Sequence, residues 1–561
     1  MEKRIFLAIL ISLGLLWGWA ALAPRLFPEL VKKPQPAVKS VEAKPPVPTD
    51  ATAATAGATG TTGSAATTTS ASTVAPVAGS PAIAKPIAAD RVKLTVVETP
   101  EYKAILTNRG AQLISFKLKT YLRKKSTEHE DLVKQREPQR TDYPFTIVPA
   151  DPSLRSLNSA LYAVSDVVEM NGQRVVEYRY SNGRVTATKT FRFAKQPYLF
   201  DFAVSIDPPS PYRIAVGPGI RTLGAAEQDT QVVTTGNGIY QAQGKLKIVR
   251  REKAAHLQII PAVEYIGIED NYFLTALRPR HAGEGILQGV AFFDAKTKKR
   301  RNDVYAELNA AGDGTVAGEV FFGPKETKIL DQYGMGAALQ FGWFSIIGRF
   351  FLKALIWLNR YTHNYGFAII VLTILIKIVL YPLTHKQNVS MKKMQKVQPK
   401  VEAIKAKYKK SKTDAEQRQK MNVEMMALYQ KEGINPMAGC LPLVLQLPIL
   451  WGFYGLLSRA IELRGAPFIL WIHDLSDKDP TYILPILMTA TMFLQTYITP
   501  ATGDPAQRKM FLMMPLVFGF LFKDFPSGLV LYWLVQNILT IVQQSIMNKW
   551  WKQHPIEIQK A

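Results

Sequence analysis

The stretch VLTILIKIVLYPL, Val371 to Leu383, would be an ordinary apolar membrane segment but for Lys377. A charged side chain at the centre of such a helix costs ~3 kcal/mol on insertion scales. No acidic residue stands between Asn364 and Pro399 to pair with it. Thr373, Lys377, Tyr381 and Thr384 recur at spacings of four, four and three, which puts them on one helix face. Other apolar segments carry polar side chains of their own. Gln446 is one and Gln495 another, and Trp533, Gln536, Asn537, Thr540 and Gln544 share a face of the last segment. The chemistry this offers is attraction and hydration, because polar stripes inside a membrane line water-filled cavities more often than they face lipid. The candidate groove residues are Lys377, Thr373, Tyr381, Gln446, Tyr532, Trp533, Gln536 and Thr540. A second reading stays open at this point. Lys377 is about 9 Å from the Leu383 end of its helix, close enough for its ammonium to snorkel to the headgroups.

No reacting constellation stands out elsewhere. His129, His256 and His281 are far apart, and no paired-carboxylate or metal-ligand spacing accompanies them, so no catalytic residue, metal or cofactor is expected. The absence of Asp and Glu from the five C-terminal apolar segments also disfavours a proton-coupled transporter or channel. An unpaired buried lysine would lose its proton. To stay charged, Lys377 must be hydrated and must take its counter-charge from a visitor.

The elements that position these residues follow from hydropathy and charge. Residues 1–23 contain an uncharged run, Ile5–Ala23, after Lys3 and Arg4; a retained anchor is favoured over a cleaved signal because Pro24 would follow the cut. Five further spans are expected at 366–383, 439–457, 482–498, 510–522 and 528–547. The net charge of +25 is gathered beside these runs, which favours a membrane protein over a direct nucleic-acid binder. Residues 385–432 carry 13 Lys/Arg against 5 Asp/Glu, whereas 459–480 carry 3 against 4. The positive-inside rule then makes 385–432 and both termini cytoplasmic, and 459–480 and 24–340 extracytoplasmic.

Residues 24–90 read as a flexible Ala/Thr/Pro-rich tether, uncharged between Asp50 and Lys85, and the coil from Pro34 onward would span roughly 40 Å. Residues 91–335 alternate in short runs, as in VVEYRY-SNGR-VTATKTFRF, where Asn182-Gly183 is a hairpin-turn pair and Val185, Ala187, Phe191 and Phe193 share a face. An antiparallel β-sandwich is expected there. The segment 341–361 is apolar and aromatic but holds Arg349 and Lys353, which suggests an amphipathic helix in the outer interface rather than the start of a longer span.

The basic segment 385–432 reads as a helical hairpin split at Ser411–Asp414. Met391, Met394, Val397, Val401, Ile404 and Tyr408 stripe its first helix, and Met421, Met425, Leu428 and Tyr429 its second. The stripes are expected to bury each other, leaving methionines such as Met421, Met425 and Met426 available to a client and Lys405 and Lys409 to anionic lipid.

At this point the chain resembles the YidC/Oxa/Alb family of membrane protein insertases, in its long Gram-negative form. The resemblance is carried by YPLT at Tyr381–Thr384, NPMAGCLPLVLQLP at Asn435–Pro448, PFILWIHDLSDKDPTYILPILM at Pro467–Met488 and FPSGLVLYW at Phe525–Trp533. It implies an α-helical polytopic protein of six spans with a five-helix insertase core, and an extracytoplasmic all-β supersandwich related to sugar-mutarotase folds without known catalysis. It further implies a bacterial inner-membrane location and a groove open to cytoplasm and lipid. The partners implied are nascent membrane proteins and the Sec translocon. The family's groove charge is typically arginine, and here that position is Lys377. The tail 549–561 is short and only mildly basic, which weakens the expectation of ribosome binding. The rival from another class is a carbohydrate-binding or modifying protein merely anchored by its helices.

Overall fold

The computed structural model describes residues 85–554 apart from 136–141, 194–195, 224–226, 228–235, 255, 295–298, 409–413, 435–440 and 500–504. The expected anchor at 1–23, most of the tether, Lys409 and the end of the tail lie outside the described residues.

The alternating half of the chain forms two antiparallel sheets. Leu94–Glu98, Tyr102–Thr107, Gln112–Leu122 and His129–Asp131 make a four-stranded meander, and strands between Thr146 and Pro324 make a 14-stranded sheet. The Asn182-Gly183 pair closes the hairpin of Gln173–Ser181 and Thr186–Phe193: Asn182 Oδ1 accepts from the Arg184 and Val185 amides, and Gly183 takes φ +87°. Its inward face holds Ala187, Phe191 and Phe193, as alternation requires. It also holds Lys189, fully buried, whose ammonium donates to the carbonyls of Gly110 and Phe145 at 2.7 Å. Those contacts tie the four-stranded sheet to the large one.

Eight α-helices follow among the described residues: α1 (Thr327–Gln332), α2 (Ser345–Thr362), α3 (Tyr365–Lys407), α4 (Ala415–Lys431), α5 (Leu441–Leu457), α6 (Ile483–Ile498), α7 (Pro505–Phe522) and α8 (Ser527–Gln553). Helix α2 is separate from α3. His363 ends it in the left-handed region, and Asn364 then caps α3 by accepting from the Gly366 and Phe367 amides. One side of α2 packs inward, with Phe351 4.6 Å from the Phe453 ring, while Trp343 before it and Ile346, Phe350 and Trp357 on it remain exposed.

Helix α3 differs from the expected span-then-hairpin break. It runs 43 residues without interruption, through Pro382 and Pro399, and carries the first hairpin helix as its own continuation. The apolar stripe simply changes partner along it. Met394, Val397 and Val401 are buried against Met425, Leu428 and Tyr429 of α4, so the hairpin stripes do pack on each other.

The sheets are fastened to the helices through the segment 458–482. Asn271 Nδ2 donates to the Ser458 carbonyl at 3.0 Å, and Thr327 donates to Glu462 through its amide at 3.1 Å and its hydroxyl at 3.0 Å. Lys124 pairs with Asp477 at 3.0 Å. The same segment is stitched to the start of α8, where the Ser527 amide and hydroxyl donate to the Asp477 carbonyl. Asp479, fully buried, accepts from the Thr481 and Leu484 amides and so holds the start of α6.

Candidate functional site

Helices α3, α5 and α8 bring the central polar residues together. The Lys377 ammonium, half-buried, donates to the Thr540 hydroxyl of α8 at 2.8 Å. Thr540 in turn donates to the Gln536 carbonyl one turn earlier, at 2.7 Å. The partner of Lys377 is therefore a neutral hydroxyl, which can accept a hydrogen bond but cannot balance the charge. On the other flank Gln446 of α5 donates to the Tyr532 hydroxyl, and the Tyr532 ring, 1% exposed, stacks on Phe453 at 4.4 Å. Nearer the α3–α4 hairpin, Gln543 donates to Thr384 at 3.2 Å and Asn388 to the Met547 sulfur at 3.5 Å.

Two predicted groove residues lie elsewhere. Thr373 is fully buried, and its hydroxyl donates back to the Ile369 carbonyl at 2.7 Å, so it serves its own helix in packed surroundings. Trp533 sits against Phe518 and Phe522 of α7, at 6.0 and 5.1 Å. The polar face assigned to α8 is really two adjacent lines. Asn537 goes with Trp533 and donates to the Met488 carbonyl and Thr491 hydroxyl of α6, whereas Gln536 and Thr540 belong to the Lys377 line. A helical spacing of four or three tolerates both assignments, and only the neighbouring helices separate them. Tyr381 is exposed, with its ring beside His385 at 5.8 Å.

In the hairpin, Met425 packs against the buried cluster, Met421 is half-buried and Met426 is exposed. Lys405 is half-buried. Two neighbouring lysines are already occupied, Lys400 by Glu432 at 2.9 Å and Lys407 by Glu424 at 3.1 Å.

Several buried polar atoms have no hydrogen-bond partner among the described residues: Gln536 Oε1, Gln495 Oε1, Ser390 Oγ, and both amide atoms of Gln387. Native interiors satisfy nearly all such atoms, and an orphan costs about 1–3 kcal/mol unless water or a ligand meets it. Gln387 and Ser390 were not singled out from sequence. The signal was present in the stripe Gln387, Met394, Val397, Val401, where one amide interrupts an otherwise apolar face.

Fold and site together define an α-helical membrane protein with an appended all-β domain and a polar seam between helices. The comparisons agree. The family sequence model for the 60Kd inner membrane protein matches residues 357–554, and that for the YidC periplasmic domain matches 94–354. The membrane protein insertase YidC of Geobacter metallireducens is 35% identical, over 98% of this chain and 98% of its own. That of Syntrophus aciditrophicus is 38% identical over 81% of this chain and 84% of its own. A crystal structure of an active YidC insertase with its first transmembrane domain resolved covers 83% of this chain and 94% of that one, at 20% identity and TM-score 0.35. The chain belongs to the YidC family of membrane protein insertases. It is an insertase of the inner membrane and not an enzyme, and its β-sheets are the family's periplasmic domain.

Proposed function

We propose that this protein inserts nascent inner-membrane proteins by drawing a client's polar flank from the cytoplasm into the seam between α3, α5 and α8, with Lys377 as the attracting charge. The observation that carries this reading is the Lys377–Thr540 contact, a cation held by a neutral hydroxyl in spans that contain no Asp or Glu. A charge so placed favours any acidic or polar segment that can reach it, and this shortens that segment's path across the apolar core. The orphaned oxygen of Gln536, beside Thr540 on α8, supports a hydrated seam. The client's apolar segment then passes to lipid along the exposed apolar faces of the spans. This is differential solvation, so no catalytic group is required. The lysine acts as a point charge and gives up the bidentate fork that an arginine would offer.

The membrane arrangement proposed with it has six spans, both termini and the α3–α4 hairpin in the cytoplasm, and α2 lying in the periplasmic interface. The charge balance of 385–432 against 459–480 supports that orientation. Tyr365–Lys407 and Ser527–Gln553 are long and apolar enough to cross, while the apolar stretches 445–457, 483–498 and 510–522 are shorter and call for tilt or local thinning. The Sec translocon and anionic lipids are the further partners proposed. The test is a Lys377 series in insertion assays with clients bearing acidic translocated tails. Lys377→Arg is expected to work nearly as wild type, Lys377→Ala to insert poorly and Lys377→Glu worst. Wild-type rates for Lys377→Ala would return the lysine to a snorkelling role.

A further inference from the structure

Gln387 stands ten residues beyond Lys377 on α3, about 15 Å along the helix. It is 4% exposed, and neither its Nε2 nor its Oε1 has a hydrogen-bond partner among the described residues. Ser390, one turn on, has an unpartnered buried hydroxyl as well. Farther along the same face, Met394, Val397 and Val401 seal against α4. The orphaned amide therefore lies at the junction where the apolar seam of the hairpin gives way to the polar line leading to Lys377. Packing alone does not account for it, since a leucine would fill similar space without two desolvated polar atoms.

The chemistry of the orphan is specific. A carboxamide presents a donor and an acceptor in one plane, complementary to the N–H and C=O that an extended peptide shows along one edge. An ammonium offers donors only, so Lys377 selects acidic or carbonyl groups while Gln387 matches any main chain. We propose that Gln387 binds the backbone of the client's leading segment at the cytoplasmic entrance, before the client's acidic group reaches Lys377. The proposal rests on the seam being the client's path. It also fixes a register. Extended chain rises about 3.3 Å per residue, so 15 Å corresponds to about four to five client residues between the two contacts.

The test uses the full-length protein in membrane vesicles with stalled nascent chains that carry one acidic residue in the translocated N-terminal tail. In a Cys440→Ser background, the Gln387→Cys variant should crosslink best to a client cysteine four to five residues C-terminal of that acid. Gln387→Leu, made separately, should slow insertion three- to tenfold while thermal stability stays level or rises, because an unpaired amide has been removed. A purely structural glutamine would give the opposite stability change. Wild-type insertion by Gln387→Leu, or slowing only in proportion to lost folded protein, overturns the proposal and leaves the carboxamide holding water. If Gln387→Cys fails to crosslink at any client position while Gln536→Cys succeeds, the proposal falls and the path stands. If both fail, the path falls with it.

Discussion

The guanidinium of Arg464, in the segment between α5 and α6, lies 2.8 Å from the Glu130 carboxylate of the four-stranded sheet, and both side chains are almost wholly buried. Around them Arg221 pairs with Glu130, Glu227 and Asp270, so two guanidiniums share three carboxylates. Burial pushes the Glu130 carboxyl up while both arginines pull it down; Glu227 is held below the usual range by Arg221. Phe273 lies beneath both guanidiniums, at 5.2 and 5.3 Å. The chain segment that joins α5 and α6 is thus bolted to the β-domain by desolvated charge.

Without Arg464, Arg221 alone must balance Glu130, Glu227 and Asp270 in a desolvated cluster. That costs less than the roughly 3–5 kcal/mol of a wholly unpaired buried charge but leaves the cluster net negative. Arg464→Met should therefore loosen the docking of the β-domain on the helices. Limited proteolysis of the full chain should then cut within 459–480 at least tenfold faster, with each part still folded. Unchanged protection would show that the Asn271, Thr327 and Lys124 contacts suffice alone.

Lys189 should make the β-domain's stability depend on pH. Burial pushes its pKa down from 10.5 to about 7. Below about 7 both folded and unfolded chains hold the proton. Between that value and 10.5 the unfolded chain binds it and the folded one does not, so stability rises with pH across this window. Thermal melts of the full-length protein from pH 7 to 9.5 should show an upward slope for the β-domain transition. Lys189→Met should flatten that slope while lowering stability throughout, because the Gly110 and Phe145 carbonyls lose their donor.

The two hairpin methionines should separate fold from function. Met425→Ser removes packing against Met394, Val397 and Val401, and should destabilise the hairpin by about 2–3 kcal/mol. Met426 is 48% exposed, so Met426→Ser should leave hairpin protection in hydrogen exchange unaltered. Any insertion defect of Met426→Ser then reports a client contact.

Cysteine labelling reads the hydration of the seam. In a Cys440→Ser background, Gln536→Cys should react with a water-soluble maleimide from the cytoplasmic side. Thr373→Cys should be protected, because Thr373 is fully buried in packing. Protection of both, against a reactive hairpin control, would mean the seam is dry.

The sequence by itself determined the broad plan. Apolar runs of sufficient length, lysines gathered between them and period-two alternation in 91–335 each follow from solvation along the chain, and solvation is a local property. It also exposed Lys377, because one charge in an apolar run needs no neighbour to be conspicuous. What it left undecided was which polar residues meet. Thr373 shares the Lys377 face yet packs away. Asn537 lies beside Gln536 yet serves α6, and Lys189 sits unpaired by charge on a strand face that read as apolar. Gln387 drew no notice in the sequence; α3, continuous through Pro382, carries it into buried surroundings. Periodicity gives a residue's direction from its own axis, but burial and partnership depend on where the other helices lie, and that only the tertiary structure decided.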